Sequence, residues 1–315
     1  MSRRNFHLPW AEYVETLQPH ERPMLPGSPA TPDHSLRYRL AYAAIGLLVT
    51  ATGSIGSAMI TANTPQLAGA LGVSVTEAAW LPVVFVMTNA CMNLLLIKFR
   101  QQYGLRLFAQ IFLIAYAVIG VGALFFEDYQ STLIVRAFAG MASAAMSSLG
   151  ILYLIQAFPA AHRLKGLIIG IGASSMAIPA VRLFSTHLVD LSEWRGFHMF
   201  ELGLSLLSLA AVFALRLPPS EKLKVFDKLD FVTFALFAPG MALLCAVLGL
   251  GRIVWWTEAA WIGWALIGAI VLLIAALVVE YNRQTPLINL KWISGPDILR
   301  LALAIVGVRI VLSEQ

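Results

Sequence analysis

Residues 133–150 read LIVRAFAGMASAAMSSLG. Apart from Arg136, every side chain in this stretch is apolar, small or a hydroxyl. A run of this kind suits a helix in hydrocarbon, where about 20 residues cross the bilayer core. A guanidinium at such depth costs roughly 3 kcal/mol on insertion scales, so it faces other helices or snorkels along its stem to the headgroups. The stretch therefore predicts a membrane-spanning helix, and the flanking chain has to supply its neighbours.

The composition agrees. The chain is 59% hydrophobic and 12% charged, with a mean hydropathy of +0.77, whereas soluble domains are about a quarter charged. The net charge of +5 points to topology rather than to nucleic acid, because cytoplasmic loops of membrane proteins collect Lys and Arg. Cys91 and Cys245 both lie in apolar runs and offer neither a disulfide framework nor metal-ligand spacing. The six histidines are scattered, and catalysis would need acids, bases or metal ligands converging on one surface. Composition and spacing thus argue against an enzyme, and they give no reason to expect a metal or cofactor.

Reading outward from 133–150 gives eight complete spans, at about 39–61, 78–98, 105–126, 131–158, 165–188, 195–215, 230–250 and 258–280. An incomplete ninth opens near Ile298. Outer-membrane strands would alternate with period two, and these runs do not. With the N-terminus inside, the inner segments hold 17 of the 22 Lys and Arg, and the outer connections hold only Arg195 and Arg252. Arg136, Arg182 and Arg309 lie within spans. That asymmetry predicts a cytoplasmic N-terminus. The fold class is an all-α polytopic membrane protein. Residues 1–38, with six prolines, form a mobile cytoplasmic tail with a short amphipathic turn near Phe6–Val14. Residues 39–215 form a six-span bundle, 216–229 a cytoplasmic linker, 230–281 two additional transmembrane helices, and 282–315 a loop and the start of a further helix.

Small residues recur at four-residue spacing: Gly140, Ala144 and Ser148, then Gly166, Gly170 and Ser174, with the shorter pair Gly53 and Ser57. Such rows let helices approach closely, either as static packing or as sliding surfaces. Pro82, Pro179 and Pro239 lie inside spans and can kink them.

Three ionisable groups fall at similar depth below the outer boundary: Arg136, Arg182 and Glu201, on the fourth, fifth and sixth spans. Their signs suggest a pair between Glu201 and one of the arginines. Two readings stay open: a proton- or substrate-responsive pair, or a structural pair and snorkelling. His187 and His198 are expected at the interface. Asn89 and Asn93 share one face of the second span and either bond between helices or line a substrate pathway.

The local motifs carry a resemblance. VRAFAGMASA (135–144), NTPQLAGALG (63–72), YGLRLF (103–108), EWRGF (193–197), FDKLDF (226–231) and RQTPLINLKW (283–292) occur in the order of the first part of a known family. The chain resembles the 14-span drug:proton antiporter (EmrB/QacA-type) branch of the major facilitator superfamily. The resemblance implies a six-helix transporter bundle followed by two extra spans. It implies secondary active export of small amphipathic or drug-like solutes across the cytoplasmic (inner) membrane, by proton antiport with alternating access. It further implies a periplasmic adaptor protein and an outer-membrane channel as partners, beside the lipid bilayer. Arg136 takes the position of the family's fourth-span arginine, which is associated with proton coupling. The pattern departs at Ile97 and Gln101 in the loop signature, at Gly56 where bacterial members carry an aspartate, and around IPAVRLFST (178–186). A uniporter or importer, a channel and a non-transporting scaffold stay open as alternatives. The family's second bundle is not encoded before Gln315, so these 315 residues alone are expected not to pump.

A cysteine introduced within residues 216–229 is expected to react with an impermeant reagent from the cytoplasmic side only. Reaction from the opposite side would invert the topology.

Overall fold

The computed structural model describes residues 8–23, 28–126, 128–183, 195–283, 286–287 and 294–313. Among these residues the ordered structure is helical, apart from one isolated bridge between Pro29 and Ser220. In chain order the helices are α1 (Trp10–Glu15), α2 (Leu36–Ala62), α3 (Thr64–Leu71), α4 (Val75–Ala78), α5 (Trp80–Tyr103), α6 (Leu105–Ala123), α7 (Tyr129–Ala157) and α8 (Arg163–Ser175). They continue with α9 (Ala177–Leu183), α10 (Arg195–Ala214), α11 (Lys228–Leu250), α12 (Ala260–Tyr281) and α13 (Pro296–Ser313). Among the described residues, seven segments are long and apolar enough to cross a membrane: α2, α4–α5, α6, α7, α10, α11 and α12. The α8–α9 pair makes an eighth if it is taken as one span.

That pair occupies the run expected as the fifth span, at 165–188, and is bent within it. The chain bends by 44° between α8 and α9. Pro179 supplies a physical reason, since it has no N–H to donate to the carbonyl four residues back, at Ser175. The bend follows Ser175 directly. Residues 184–188 lie outside the described residues.

The helices alternate in direction, so their ends fall on two faces. One carries the 216–227 linker and is called the linker face; the other is the far face. α7 and α2 are central, with 61% and 56% of their apolar windows buried, against 22% for α11 and α12. The largest core cluster gathers Tyr42, Val49, Leu113, Met146, Leu149 and Tyr153 from α2, α6 and α7. Close backbone approach makes this packing possible. A methyl group at Gly140 would run into the Phe85 carbonyl oxygen of α5, and one at Gly166 would lie 2.7 Å from the Leu154 carbonyl oxygen of α7. A Cβ at Gly170 would meet Ile151 and Leu154 at 3.1 Å. α11 and α12 pack against each other and reach the bundle through α5.

Residues of the segment expected as a mobile tail make specific contacts on the linker face. Tyr13, Leu17 and Ala30 are buried together. Gln156 of α7 donates to the Ala30 carbonyl at 2.8 Å, and His34 donates to Gln156 Oε1 at 3.1 Å while its ring packs 4.7 Å from that of Tyr42. Burial pushes the His34 imidazole below its ordinary pKa, against opposing pulls from Gln156, Asp33 and Glu21.

Docking therefore favours neutral His34. Its contribution is present above the ordinary histidine range and is lost as pH falls below about 6.5. Hydrogen exchange over residues 28–35, corrected for intrinsic rates, should be faster about two pH units below neutrality than at neutrality. A His34→Gln variant should lose most of that difference. Equal protection at both pH values would disconnect docking from this histidine.

Candidate functional site

Three helices bring polar side chains to a point near the far face, and a fourth leaves room for them. Arg136 lies seven residues into α7, and Glu201 six residues into α10. Tyr116 lies seven residues before the end of α6, which runs the other way. At 1.5 Å per residue all three sit about 10 Å below the far ends of their helices. Gly56 of α2 faces the same point.

Arg136 Nη2 donates to Glu201 Oε2 at 2.8 Å and lies 3.1 Å from His198 Nδ1. The Tyr116 hydroxyl donates to Glu201 Oε1 at 2.5 Å. The group is sealed: Arg136 is 1% exposed, Tyr116 2%, His198 2% and Glu201 7%. A charge this dry is tolerable only with a close counter-charge and further hydrogen bonds, because each ion would otherwise forfeit several kcal/mol of solvation. The carboxylate has one partner on each oxygen. Arg136 Nε and Nη1 are buried and have no hydrogen-bond partner among the described residues. A cavity of about 10 Å³, lined in part by Tyr116, Arg136, Glu201 and Ser205, adjoins the pair, which is the scale of a single water.

Gly56 explains why the carboxylate fits. A Cβ there would collide with Glu201 Oε1 and come within 3.0 Å of the Tyr116 hydroxyl. Glu201 thus fills the volume that a side chain on α2 would occupy.

Polar contacts continue from the pair toward the middle of the bundle. Ser143, seven residues on from Arg136, shares its face of α7 and donates to the Gly53 carbonyl at 2.8 Å. Asn89 of α5 reaches Ser143 Oγ at 3.5 Å. Thr52 and Ser208 bond at 2.7 Å between α2 and α10. Asn93 is exposed and donates back to the Asn89 carbonyl at 2.8 Å.

The expected residues therefore separate. Arg136 and Glu201 meet, and Asn89 joins a hydroxyl chain below them. Arg182 does not share their site: it is exposed on α9 beyond the bend. His198 corrects the expectation of an interfacial histidine, because the first turn of α10 turns it inward onto Arg136. His187 lies outside the described residues. Tyr116 was missed; its only sequence signal is a hydroxyl in the otherwise apolar run LIAYAVIG (113–120).

A second buried charge cluster, also missed, lies at the linker face. Lys98, at the end of α5, donates to both Asp230 oxygens at 2.7 Å. Arg283, just beyond α12, bridges Asp230 at 2.7 Å and Glu280 at 2.8 Å. Thr233 donates to Glu280 Oε1 at 2.6 Å. Arg283 also lies 3.5 Å from Asp227, and the ion pairs tie α11 and α12 to each other and to α5.

The family model described as "Major Facilitator Superfamily" matches residues 46–311. The "Major facilitator superfamily multidrug transporter mfsC" of Aspergillus fumigatus is 28% identical over 243 residues, which cover 75% of this chain and 46% of that protein. The xylose transporter XylE from E. coli, in a partially occluded inward-open conformation, superposes with a TM-score of 0.52 at 15% identity. That match covers 87% of this chain and 65% of XylE, and it speaks for the fold alone. The chain spans about half the length of the curated relative.

A double-mutant cycle tests the linker-face cluster. Lys98→Met and Asp230→Asn should each lower Tm in detergent, with a coupling of about 2 kcal/mol. Additive costs would show that the two groups do not support each other.

Proposed function

The chain belongs to the Major Facilitator Superfamily, matched over residues 46–311, and on that premise we propose that it supplies the proton-coupled bundle of a secondary exporter. We assign it to the 14-span drug:proton antiporter (EmrB/QacA-type) branch, with small amphipathic or drug-like solutes as substrates. The sequence likeness to a fungal multidrug transporter supports the substrate class. The charge asymmetry of the loops supports a cytoplasmic N-terminus in the cytoplasmic membrane. The helix order supports a bundle at 39–215, a linker at 216–229 and an added pair at 230–281. The adaptor protein and outer-membrane channel implied by the family resemblance gain no support from the relatives, and the mechanism does not need them.

One observation carries the reading: the sealed Arg136–Glu201 pair with Tyr116 on the second carboxylate oxygen. Among the described residues of α2–α10, Glu201 is the buried carboxylate. A proton arriving on Glu201 cancels its charge attraction for Arg136 and leaves a buried cation with only neutral acceptors, the carboxyl oxygen and His198 Nδ1. That state favours any rearrangement in which Arg136 finds water or another anion. The proton thereby shifts the population between two arrangements of the helices. In two-bundle transporters the substrate lies at mid-membrane between the bundles, and one bundle rocks against the other. The hydroxyl and amide groups of Asn89, Ser143, Thr52 and Ser208 lead from the pair toward that level. Asn93 lies on the exposed side of α5 and is available to a substrate. Arg182 has no role in this mechanism.

The test is substrate flux driven by a pH gradient in proteoliposomes that hold the full-length, two-bundle transporter, with a lipophilic fluorescent cation as probe. Glu201→Gln should cut gradient-driven flux by roughly 5–150-fold, the range of ordinary coupling energies. Arg136→Ala should do likewise. The Gly56→Asp/Glu201→Gly variant returns a carboxylate to the same volume from α2 and should recover part of the coupling. Gradient-driven flux unchanged in Glu201→Gln would remove the proposal; gradient-independent flux in the wild type would favour a uniporter.

A further inference from the structure

On the linker face a groove of about 730 Å³ runs between α1, the α5–α6 turn and the linker. Its lining combines two chemistries. Arg106 and Lys222 supply positive charge, and Trp10, Tyr103 and Leu107 supply aromatic and apolar surface. The cations are held in place by the linker. Arg106 Nε donates to the Leu217 carbonyl at 3.0 Å, and the Leu105 N–H donates to Ser220 Oγ at 3.1 Å. Leu223 N–H donates to the Gln101 carbonyl at 2.9 Å. The stem of Lys222 lies across Gly104, where a Cβ would stand 3.2 Å from its Cε. Gly104 has φ +82°, so it is suited to the turn and to the close approach alike. Glu221 is the one acid in the lining, which leaves a net positive groove.

The groove opens onto a surface made for hydrocarbon. Leu107, Ile111, Ile114, Val118 and Val121 are all exposed on α6. Their spacing of four, three, four and three residues places them in one stripe along the helix. The stripe starts in the groove and runs toward the far face. A positive, aromatic-rimmed pocket at the end of a span, continued by an apolar track, matches a molecule with an anionic head and acyl chains. Basic pockets at this level bind anionic headgroups, and aromatic side chains settle at the same depth.

We propose that this groove holds the phosphate headgroup of an acidic phospholipid, with an acyl chain laid along the Leu107–Val121 stripe. The site is separate from the Arg136–Glu201 pair, which lies near the far face. Phosphate chemistry alone would also admit a soluble phosphate ester; the exposed apolar stripe favours the lipid.

Native mass spectrometry of the chain in neutral detergent tests this, with phosphatidylglycerol and phosphatidylcholine titrated separately. The wild type should retain phosphatidylglycerol roughly 10–30-fold better, the preference expected from two nearby cations. Lys222→Gln changes an exposed side chain and should lose several-fold of that preference. Arg106→Gln/Lys222→Gln should bring phosphatidylglycerol down to the level of phosphatidylcholine. Glycerol phosphate and inorganic phosphate should not displace the lipid; displacement by either would assign the groove to a soluble anion and overturn the lipid. Equal retention of the two lipids by the wild type, or undiminished preference in Lys222→Gln, would also overturn it.

Discussion

A guanidinium and a carboxylate can share a dry helix bundle only if each neutralises the other. That constraint governs the far half of this molecule. Arg136 is 1% exposed, so its counter-charge must be delivered by another helix at the same depth. α10 provides it through Glu201, at 2.8 Å. α6 must then present Tyr116 to the remaining carboxylate oxygen, and α2 must leave room by carrying glycine at position 56. Four helices are thereby fixed in rotation and in height by one ion pair. Buried pairs of this kind add little net stability against an apolar alternative, but they are costly to break. Their value lies in specifying one arrangement.

The linker face solves a different problem with the same chemistry. α11 and α12 are largely apolar all round and bury little of their surface within the chain. Dispersion alone would let them slide against the bundle, since lipid tails compete equally well for apolar contact. The Lys98, Asp230, Arg283 and Glu280 cluster gives them a fixed address on α5. Among the described residues, the middle of the bundle carries no buried ion. Small residues there let α2, α5, α7 and α8 approach to backbone contact, and short hydroxyl bonds such as Thr52 to Ser208 join them. Charge is confined to the two ends, where the chain can best meet its solvation cost.

Much of this was legible in the amino-acid sequence, and the limits are informative. Helix identity follows from apolar run length, which is a local property of composition. Membership of the superfamily follows from short motifs whose order survives even where single motifs degrade. The choice between Arg136 and Arg182 as partner of Glu201 was not legible. Both lie at similar nominal depth, and depth says nothing about which way a side chain points around its helix. The break before α9 removes Arg182 from the far-face site altogether. His198 was misread for the same reason: nearness to a helix end suggests the interface, but its rotational position on α10 places it against Arg136. Lys98, Asp230, Glu280 and Arg283 are spread over nearly two hundred positions, and each looks like an ordinary loop-proximal charge when read alone.

The sequence by itself determined that this chain crosses a membrane repeatedly, how its helices alternate, and that a buried arginine needed a partner. Those outcomes rest on transfer free energies that add along the chain, one residue at a time. Only the tertiary structure decided the partner, the tyrosine on its other oxygen and the glycine that makes room for both. Ion pairing and steric exclusion act over a few ångströms between helices. They depend on rotation and register that no single segment encodes.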